Sequence, residues 1–278
     1  MTTMSPIRGG ILHEPTSNEG RYSQSLERGL AILRAFTPDR PWMGIAEIAA
    51  ELEMSRPTAH RYASTLVALD YLEQGPRRKY RLGMRAGDPG RSAVSSTAIH
   101  NLPGHYLREL RSRSTCTASI AVLDGNDLVY VDRARSSLRG QSEVVARLGP
   151  GSRLPASETA MGRLLLAHAS DQRRAEAIDA STRDPAAGEA SLARAKLLTE
   201  LDRIRERGYA IADQVRVEGQ RCGAAPVRSR SGEAIAAVEV AAAKAVFSST
   251  EVLERLVPLV VASAARMSAH LGYSPPTE

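Results

Sequence analysis

The chain has 278 residues, with 37 Lys and Arg against 31 Asp and Glu for a formal net charge of +6, and its length predicts about two domains, each able to bury its own core. Its two cysteines, Cys116 and Cys222, stand far apart with no Cys-x-x-Cys pair, which excludes a disulfide framework or cysteine-rich zinc site and fits a reducing cytoplasm. No apolar run approaches the ~20 residues of a membrane span, and the polar start of the chain has no signal-peptide core. Neither a membrane nor an export route is expected.

Residues 1–21, with Pro6, Gly9-Gly10, Pro15 and Ser17-Asn18, show no periodicity and read as a flexible leader. From Ser25, Leu26, Leu30, Leu33 and Phe36 recur at helical spacing, and Pro38 stops that helix. Ile45, Ile48, Ala49 and Leu52 mark a shorter second helix, after which Glu53-Met54 leaves room only for a turn. Ser55 offers its hydroxyl as an N-cap. Because Pro57 has no N–H, the donor to that hydroxyl is the backbone of Thr58, and the third helix starts at a fixed place. Its apolar stripe, Ala59, Tyr62, Leu66 and Leu69, turns Arg56, His60, Arg61 and Ser64 outward with Thr58 at the edge.

Residues 71–73 and 80–82 are short strand candidates joined by 74–79, a turn by its Gly-Pro and a basic one by Arg77-Arg78-Lys79. Between Met54 and Arg91 the cations Arg56, Arg61, Arg77, Arg78, Lys79, Arg81, Arg85 and Arg91 outnumber Asp70, Glu73 and Asp88. A helix on a small scaffold, beside a basic hairpin, is a device for entering the DNA major groove. Ser55, Arg56, Thr58, His60 and Arg61 are the candidate contacts at the helix; an arginine paired with guanine O6 and N7 supplies ~1–3 kcal/mol of base discrimination. Arg77, Arg78 and Lys79 are candidates for phosphate neutralisation. The plainer alternatives are a solvated helix start and an ordinary charged turn. This winged helix-turn-helix is placed at 22–87. Gly87-Asp88-Pro89-Gly90 breaks the regularity, and 88–102 reads as linker or exposed helix.

Residues 103–278 have a mixed texture. Leu107 and Leu110 suggest a helix; 118–123 and 128–131 are β-rich runs around the turn Asp124-Gly125-Asn126-Asp127. A strand is predicted over 143–148, helices over 159–168 and 192–207, the latter closed by Gly208, and strands over 224–228 and 234–240. A final helix covers about 250–271, with Pro258 expected to kink or split it. Strands interleaved with helices and hairpins indicate an α+β domain around an antiparallel sheet.

Two other functions fit parts of the sequence. A thiol enzyme centred on Cys222 would need His100, His105 or His168 as base, yet no motif sets a histidine beside the cysteine. The histidines are also too scattered for a metal enzyme, so no catalytic residue, metal or cofactor is expected. A protein-interaction module using the winged helix is the other alternative.

With these elements in place, the chain resembles the IclR family of bacterial transcription regulators from about Ser25 to the last helix. The resemblance is carried by residues 25–33 (SLERGLAIL), 55–62 (SRPTAHRY), 79–82 (KYRL), 151–155 (GSRLP) and 219–227 (GQRCGAAPV). The first two segments look most like the branch that controls protocatechuate and 4-hydroxybenzoate catabolism. The resemblance implies a dimerising linker helix and a GAF-like effector-binding domain over 103–278. It also implies homodimers or dimers of dimers on double-stranded palindromic operator DNA, and a small acidic metabolite as effector. Mapped by motif, the effector positions are Ala160, Met161, Asp213, Cys222, Glu239 and Ala241. A helix start suits an acid, because its free N–H groups and dipole attract negative charge.

Glu239 departs from the small hydroxyl or amide residue often found there. Its carboxylate repels an acidic ligand unless an arginine intervenes or the carboxyl is protonated, which points to a ligand offering hydroxyl groups. Ala241 has no polar handle. The plainer readings are a Glu239 that reaches solvent or pairs with an Arg, a Cys222 that merely fills space, and an Asp213 that begins a turn.

Overall fold

The computed structural model describes residues 22–37, 39–95, 99, 102, 104–136, 148–181, 187–213 and 219–275. The expected leader and nearly all of the strand expected over 143–148 lie outside these residues. The chain divides between residues 93 and 94 into two compact units. Among the described residues no helix is long and apolar enough to cross a membrane.

The first unit is built on three helices, α1 (Gln24–Ala35), α2 (Ile45–Glu51) and α3 (Arg56–Ala68), and a hairpin of β1 (Leu72–Gln74) and β2 (Tyr80–Leu82). Leu72 faces Leu82 across the antiparallel pair. Ile32, Met43, Ile48, Ala59, Ala63, Leu72 and Tyr80 form its core. Two stripes differ from the sequence expectation. Leu26 and Leu30 are 64% and 52% exposed, and α1 instead buries Ala31, Ile32 and Ala35. Likewise Leu69 is exposed and α3 is buried through Ala59 and Ala63. Small residues at the contact let the helices approach closely, so packing distance overrides side-chain size.

The helix α4 (Asp88–Ser95) runs through the segment expected to break regularity. Pro89 occupies its first turn, where a missing N–H removes no helical bond and the fixed φ suits the helix.

The second unit opens with α5 (His105–Ser114), followed by the strands β3 (Thr117–Asp124), β4 (Asp127–Ala134) and β5 (Arg153–Pro155). Three helices come next, α6 (Ala160–His168), α7 (Asp171–Ser181) and α8 (Ala187–Arg207). The strands β6 (Ala210–Asp213), β7 (Gln220–Arg228) and β8 (Ala234–Ala243) complete the sheet, and α9 (Val257–His270) ends the fold. Gly208, at φ +77°, closes α8 as its position predicts. A π-helical turn, Val252–Leu256, immediately precedes Pro258, so the proline does split the last helical segment.

All six strands pair antiparallel in the order β5-β4-β3-β8-β7-β6. The architecture is α+β, a winged helix-turn-helix unit followed by an antiparallel sheet with helices. Each face of the sheet is covered. Ala118, Ile120, Val238, Val240 and Val227 pack with α5 and α9, whereas Ala121, Leu128, Tyr130, Ala224 and Ala237 pack with α6, α7 and α8. The short edge strands β5 and β6 and the helix α7 have no counterpart in the sequence reading.

Thr159 caps α6 by accepting the N–H of Gly162 at 3.0 Å. A Cβ on Gly162 would lie 2.2 Å from the carbonyl oxygen of Ala156, so this helix start has room only for glycine. We expect Gly162→Ala to destabilise the protein by about 1–3 kcal/mol, read as a lower urea midpoint; an unchanged midpoint means that the turn before α6 moves freely.

Candidate functional site

The leading edge of α3 is set by its cap. Ser55 Oγ accepts the Thr58 N–H at 3.3 Å and lies 2.8 Å from Thr58 Oγ1, which commits both hydroxyls to the helix start. Arg56, His60, Arg61, Ser64 and Thr65 are exposed along one side, while Ala59 and Ala63 face inward. The Tyr62 hydroxyl donates to Ser25 Oγ at 3.2 Å and ties α3 to α1.

At the wing, Gly75 N–H donates to Lys79 O at 2.8 Å and closes the turn. Arg77 and Arg78, at φ +58° and +55°, both adopt the left-handed conformation, which costs an L-residue roughly 1 kcal/mol each. Gly75 is held close to Trp42, whose ring atoms a Cβ would meet at 2.4 Å. Arg81 lies over that same ring at 5.1 Å and donates to Glu73.

The cations of this unit fall into two groups. Arg40 pairs with Glu51, Lys79 with Glu47 at 3.6 Å, Arg81 with Glu73 and Arg85 with Asp70. Arg56, Arg61, Arg77 and Arg78 enter no ion pair among the described residues. The charge left without a counterion is therefore concentrated on the start of α3 and the tip of the wing. Lys79 is part of the joint between wing and α2, a role its place in the Arg-Arg-Lys run does not reveal.

A second constellation lies on the sheet face that packs with α6. Along β8, Glu239 alternates with Val238 and Val240, so it shares a face with Ala237 and Ala241. It sits directly opposite Ser119 on β3 and Ala224 on β7. Ser119 in turn sits opposite Arg133 on β4. A bulge between Ile120 and Ala121 leaves Val131 as the extra residue of β4, so Tyr130 and Arg133, three apart, both come to this face. The result is one cross-strand row, Arg133, Ser119 and Glu239, with Tyr130 beside it.

The Tyr130 hydroxyl donates to Glu239 Oε1 at 3.4 Å, and the Arg133 guanidinium lies 5.8 Å from the Tyr130 ring. Burial pushes the Glu239 carboxyl up to about 7, against the opposing pull of Arg133 and the Tyr130 hydroxyl. The same burial, with Glu239 next to it, raises the Cys222 thiol well above its ordinary range and raises the Tyr130 phenol. Two polar side chains here have no hydrogen-bond partner, Ser119 at Oγ and Gln220 at both amide atoms. Gln220 shares a face with Cys222 and Ala224 by strand alternation.

The structure thus gathers Cys222, Glu239 and Ala241 on one sheet face. Ala160 and Met161, the first two residues of α6, are buried in the core that packs against it. Asp213 stands apart. It lies opposite Arg221, on the other face from Cys222 and Ala212, and its carboxylate is held by Arg221 Nε and Ser249 Oγ, both at 3.2 Å. Asp213 ends β6 rather than beginning a turn. Tyr130, Arg133, Ser119 and Gln220 were missed from sequence. Gln220 lay inside a quoted motif, but the alternation that would have found Arg133 is broken by the bulge. Among the described residues no group of three His, Cys, Asp or Glu could hold a metal ion.

The comparisons with known proteins agree with this layout. Residues 25–76 match the family described as the IclR helix-turn-helix domain, and residues 91–269 match the C-terminal domain of the bacterial transcriptional regulator IclR. The chain is 32% identical to the Escherichia coli HTH-type transcriptional regulator XynR, covering 78% of this chain and 85% of that protein. It is 30% identical to the p-hydroxybenzoate hydroxylase transcriptional activator of Acinetobacter baylyi, covering 82% and 85%. A crystal structure of a transcriptional regulator from Rhodococcus superposes with a TM-score of 0.74 at 30% identity, covering 90% of this chain and 98% of that one.

Glu239 gives a pH signature. Its carboxyl titrates near 7 in the fold rather than at its ordinary value of 4.5, so the folded state holds the proton more tightly, and stability is lost as pH rises through that window. His168, pushed down to about 4 by burial, acts in the opposite sense between that value and its ordinary one, so the test is a difference between two proteins. The stability of Glu239→Gln relative to wild type should rise from pH 4.5 to 8 by up to roughly 3 kcal/mol, measured by urea unfolding. A pH-independent difference would show that the carboxyl is not buried as described.

Proposed function

The chain belongs to the IclR family of bacterial transcriptional regulators, and from that membership we propose that it controls a catabolic operon in response to a small aromatic or other carboxylic acid. It is a DNA-binding regulator rather than an enzyme, as the family is. The thiol alternative also fails on chemistry, since a buried cysteine whose thiol is raised well above its ordinary range holds its proton and is a poor nucleophile.

In the proposed arrangement two or four copies act in the cytoplasm on a palindromic operator. Residues 22–87 form the DNA-binding unit, 88–102 the linker and 103–278 the effector-binding unit, behind a leader of 1–21. Arg56, Thr58, His60 and Arg61 face base edges, with Ser55 fixing the helix that presents them. Arg77, Arg78 and Lys79 meet phosphates. One observation carries the DNA reading: the cations without ion-pair partners are those at the start of α3 and at the wing tip. A duplex supplies the missing counterions.

The effector enters at the start of α6 and the facing sheet, among Ala160, Met161, Cys222, Glu239 and Ala241; Asp213 borders it from the edge strand. The aromatic branch is supported by the likeness of residues 25–33 and 55–62 and by the p-hydroxybenzoate hydroxylase activator among the relatives. The equally similar XynR widens the class to other small acids. Binding there shifts the spacing of two recognition helices, so that half-sites ~34 Å or a multiple apart match one state only. Operator affinity then changes by the effector's differential affinity for the two states.

Two measurements check the DNA face. Arg56→Ala should relax base preference at one position per half-site in a binding-site selection, and unchanged preference would remove Arg56 from the base edges. Alanine at both Arg77 and Arg78 should flatten the dependence of log K on log salt by about 0.9 per lost contact. A wild-type slope would take the wing off the DNA, and an absence of any salt-dependent DNA affinity in the wild type would favour a protein-docking winged helix. The effector arm is checked by a thermal-shift screen of aromatic and small carboxylic acids, each hit then tested for its effect on operator affinity. Hits that leave that affinity unchanged would refute the coupling.

A further inference from the structure

The sheet face under α6 carries more polarity than its protein partners satisfy. Glu239 is 4% exposed, yet its one described hydrogen bond is the long contact from the Tyr130 hydroxyl at 3.4 Å. Ser119, fully buried, has no partner for its hydroxyl, and Gln220, 3% exposed, has none for either end of its amide. Buried polar groups left unmade cost about 1–3 kcal/mol each, so three neighbouring deficits on one face mark a place where a polar molecule completes the bonding.

The order of the groups says what that molecule carries. Arg133, Ser119 and Glu239 succeed one another on β4, β3 and β8. With about 4.8 Å between strands, roughly 10 Å separates the backbone positions of the arginine and the carboxyl. The guanidinium, with five donors and no acceptor, receives a carboxylate at one end. One of its nitrogens already donates to Leu148 O at 3.0 Å, which leaves further donors on the same group. At the other end Glu239 repels a second carboxylate. An ammonium group would need Glu239 ionised and would add a cation beside Arg133. A hydroxyl group suits Glu239 in either protonation state, since it donates to the carboxylate and accepts from the acid, and it bonds Ser119 on the way.

Resting on the reading of this face as the effector pocket, we infer that Glu239, with Ser119, is the specificity-determining acceptor for a hydroxyl group, and that the effector is a hydroxylated carboxylic acid whose carboxylate is received by Arg133. The position at which the resemblance implies a small polar residue is thus a selector against plain acids and diacids.

The test uses the full-length protein and acid pairs that differ by one hydroxyl, 4-hydroxybenzoate with benzoate, malate with succinate, and lactate with propionate, each titrated calorimetrically. In at least one pair the hydroxylated acid should bind about tenfold or more tightly than its partner. Glu239→Ala should bring the two to equal affinity. Glu239→Gln, whose amide oxygen still accepts, should keep the preference, and Arg133→Gln should weaken both members alike. Ser119→Ala, which leaves the carboxyl in place, should narrow the preference and serves if Glu239→Ala fails to fold. Equal binding of both members to the wild type, or a preference that survives Glu239→Ala, overturns the inference while leaving an acid-binding pocket standing. If no acid binds at all, the pocket reading itself falls, and the inference with it.

Discussion

A sheet covered by helices on both faces leaves the side chains of its inner strands nowhere to go but into a dry core, and the second unit is organised around that constraint. On β3, β7 and β8 every residue must suit one of two apolar layers. The face toward α5 and α9 meets the demand with Ala118, Ile120, Val227, Val238 and Val240. The face toward α6 is lined largely by alanines, including Ala121, Ala224 and Ala237, and small side chains let a helix start approach closely. A carboxyl on β8 in such a place cannot reach water. It has to be answered by groups delivered from other strands, and the β4 bulge delivers two of them, Tyr130 and Arg133, to the same side.

The first unit solves a different problem, which is to hold positive charge without neutralising it. Its joints are made by paired ions and packed rings. Lys79 with Glu47 and the Met43–Tyr80 backbone bridge fasten the wing to the α2 side of the unit, while Trp42 backs Gly75 and Arg81. The cations left over are at the protruding ends. Left-handed non-glycine residues elsewhere, Glu53, Asp70 and Thr115, are single residues at helix ends, where that conformation commonly closes a helix. The wing alone puts two in succession, and both are arginines.

The chain itself made some of this legible and hid the rest for physical reasons. Ser55 and Pro57 announced the start of α3 because a cap and a missing N–H are local chemistry, readable without neighbours. Gly208 and Pro258 were equally local. The buried faces of α1 and α3 were misread because periodicity follows the largest apolar residues, and here the contacts are made through Ala31, Ala35, Ala59 and Ala63. Pro89 was taken as a break, although a proline in the first turn of a helix breaks nothing. Glu239, Cys222 and Ala241 share a face by simple alternation. Arg133 does not follow it, because the bulge that turns it toward Tyr130 depends on how β4 pairs with β3. Asp213 was grouped with the others by motif, but its register with Arg221 sends it to the opposite face.

Asp213 and Glu239 also show how structural and functional charge can be told apart. Asp213 is partly exposed and held by Arg221 and Ser249, so it is satisfied by its own chain and asks for nothing more. Glu239 is buried, answered by one long hydrogen bond and pushed up to about 7, so it weakens the fold above that pH. A residue that costs stability is kept where something other than stability depends on it. The same reasoning covers Arg77 and Arg78, which occupy a strained conformation that glycine would adopt without penalty. In each unit the local rules of folding are broken at the residues best placed to meet a partner, the nucleic acid in one case and the effector in the other, while the residues around them obey those rules.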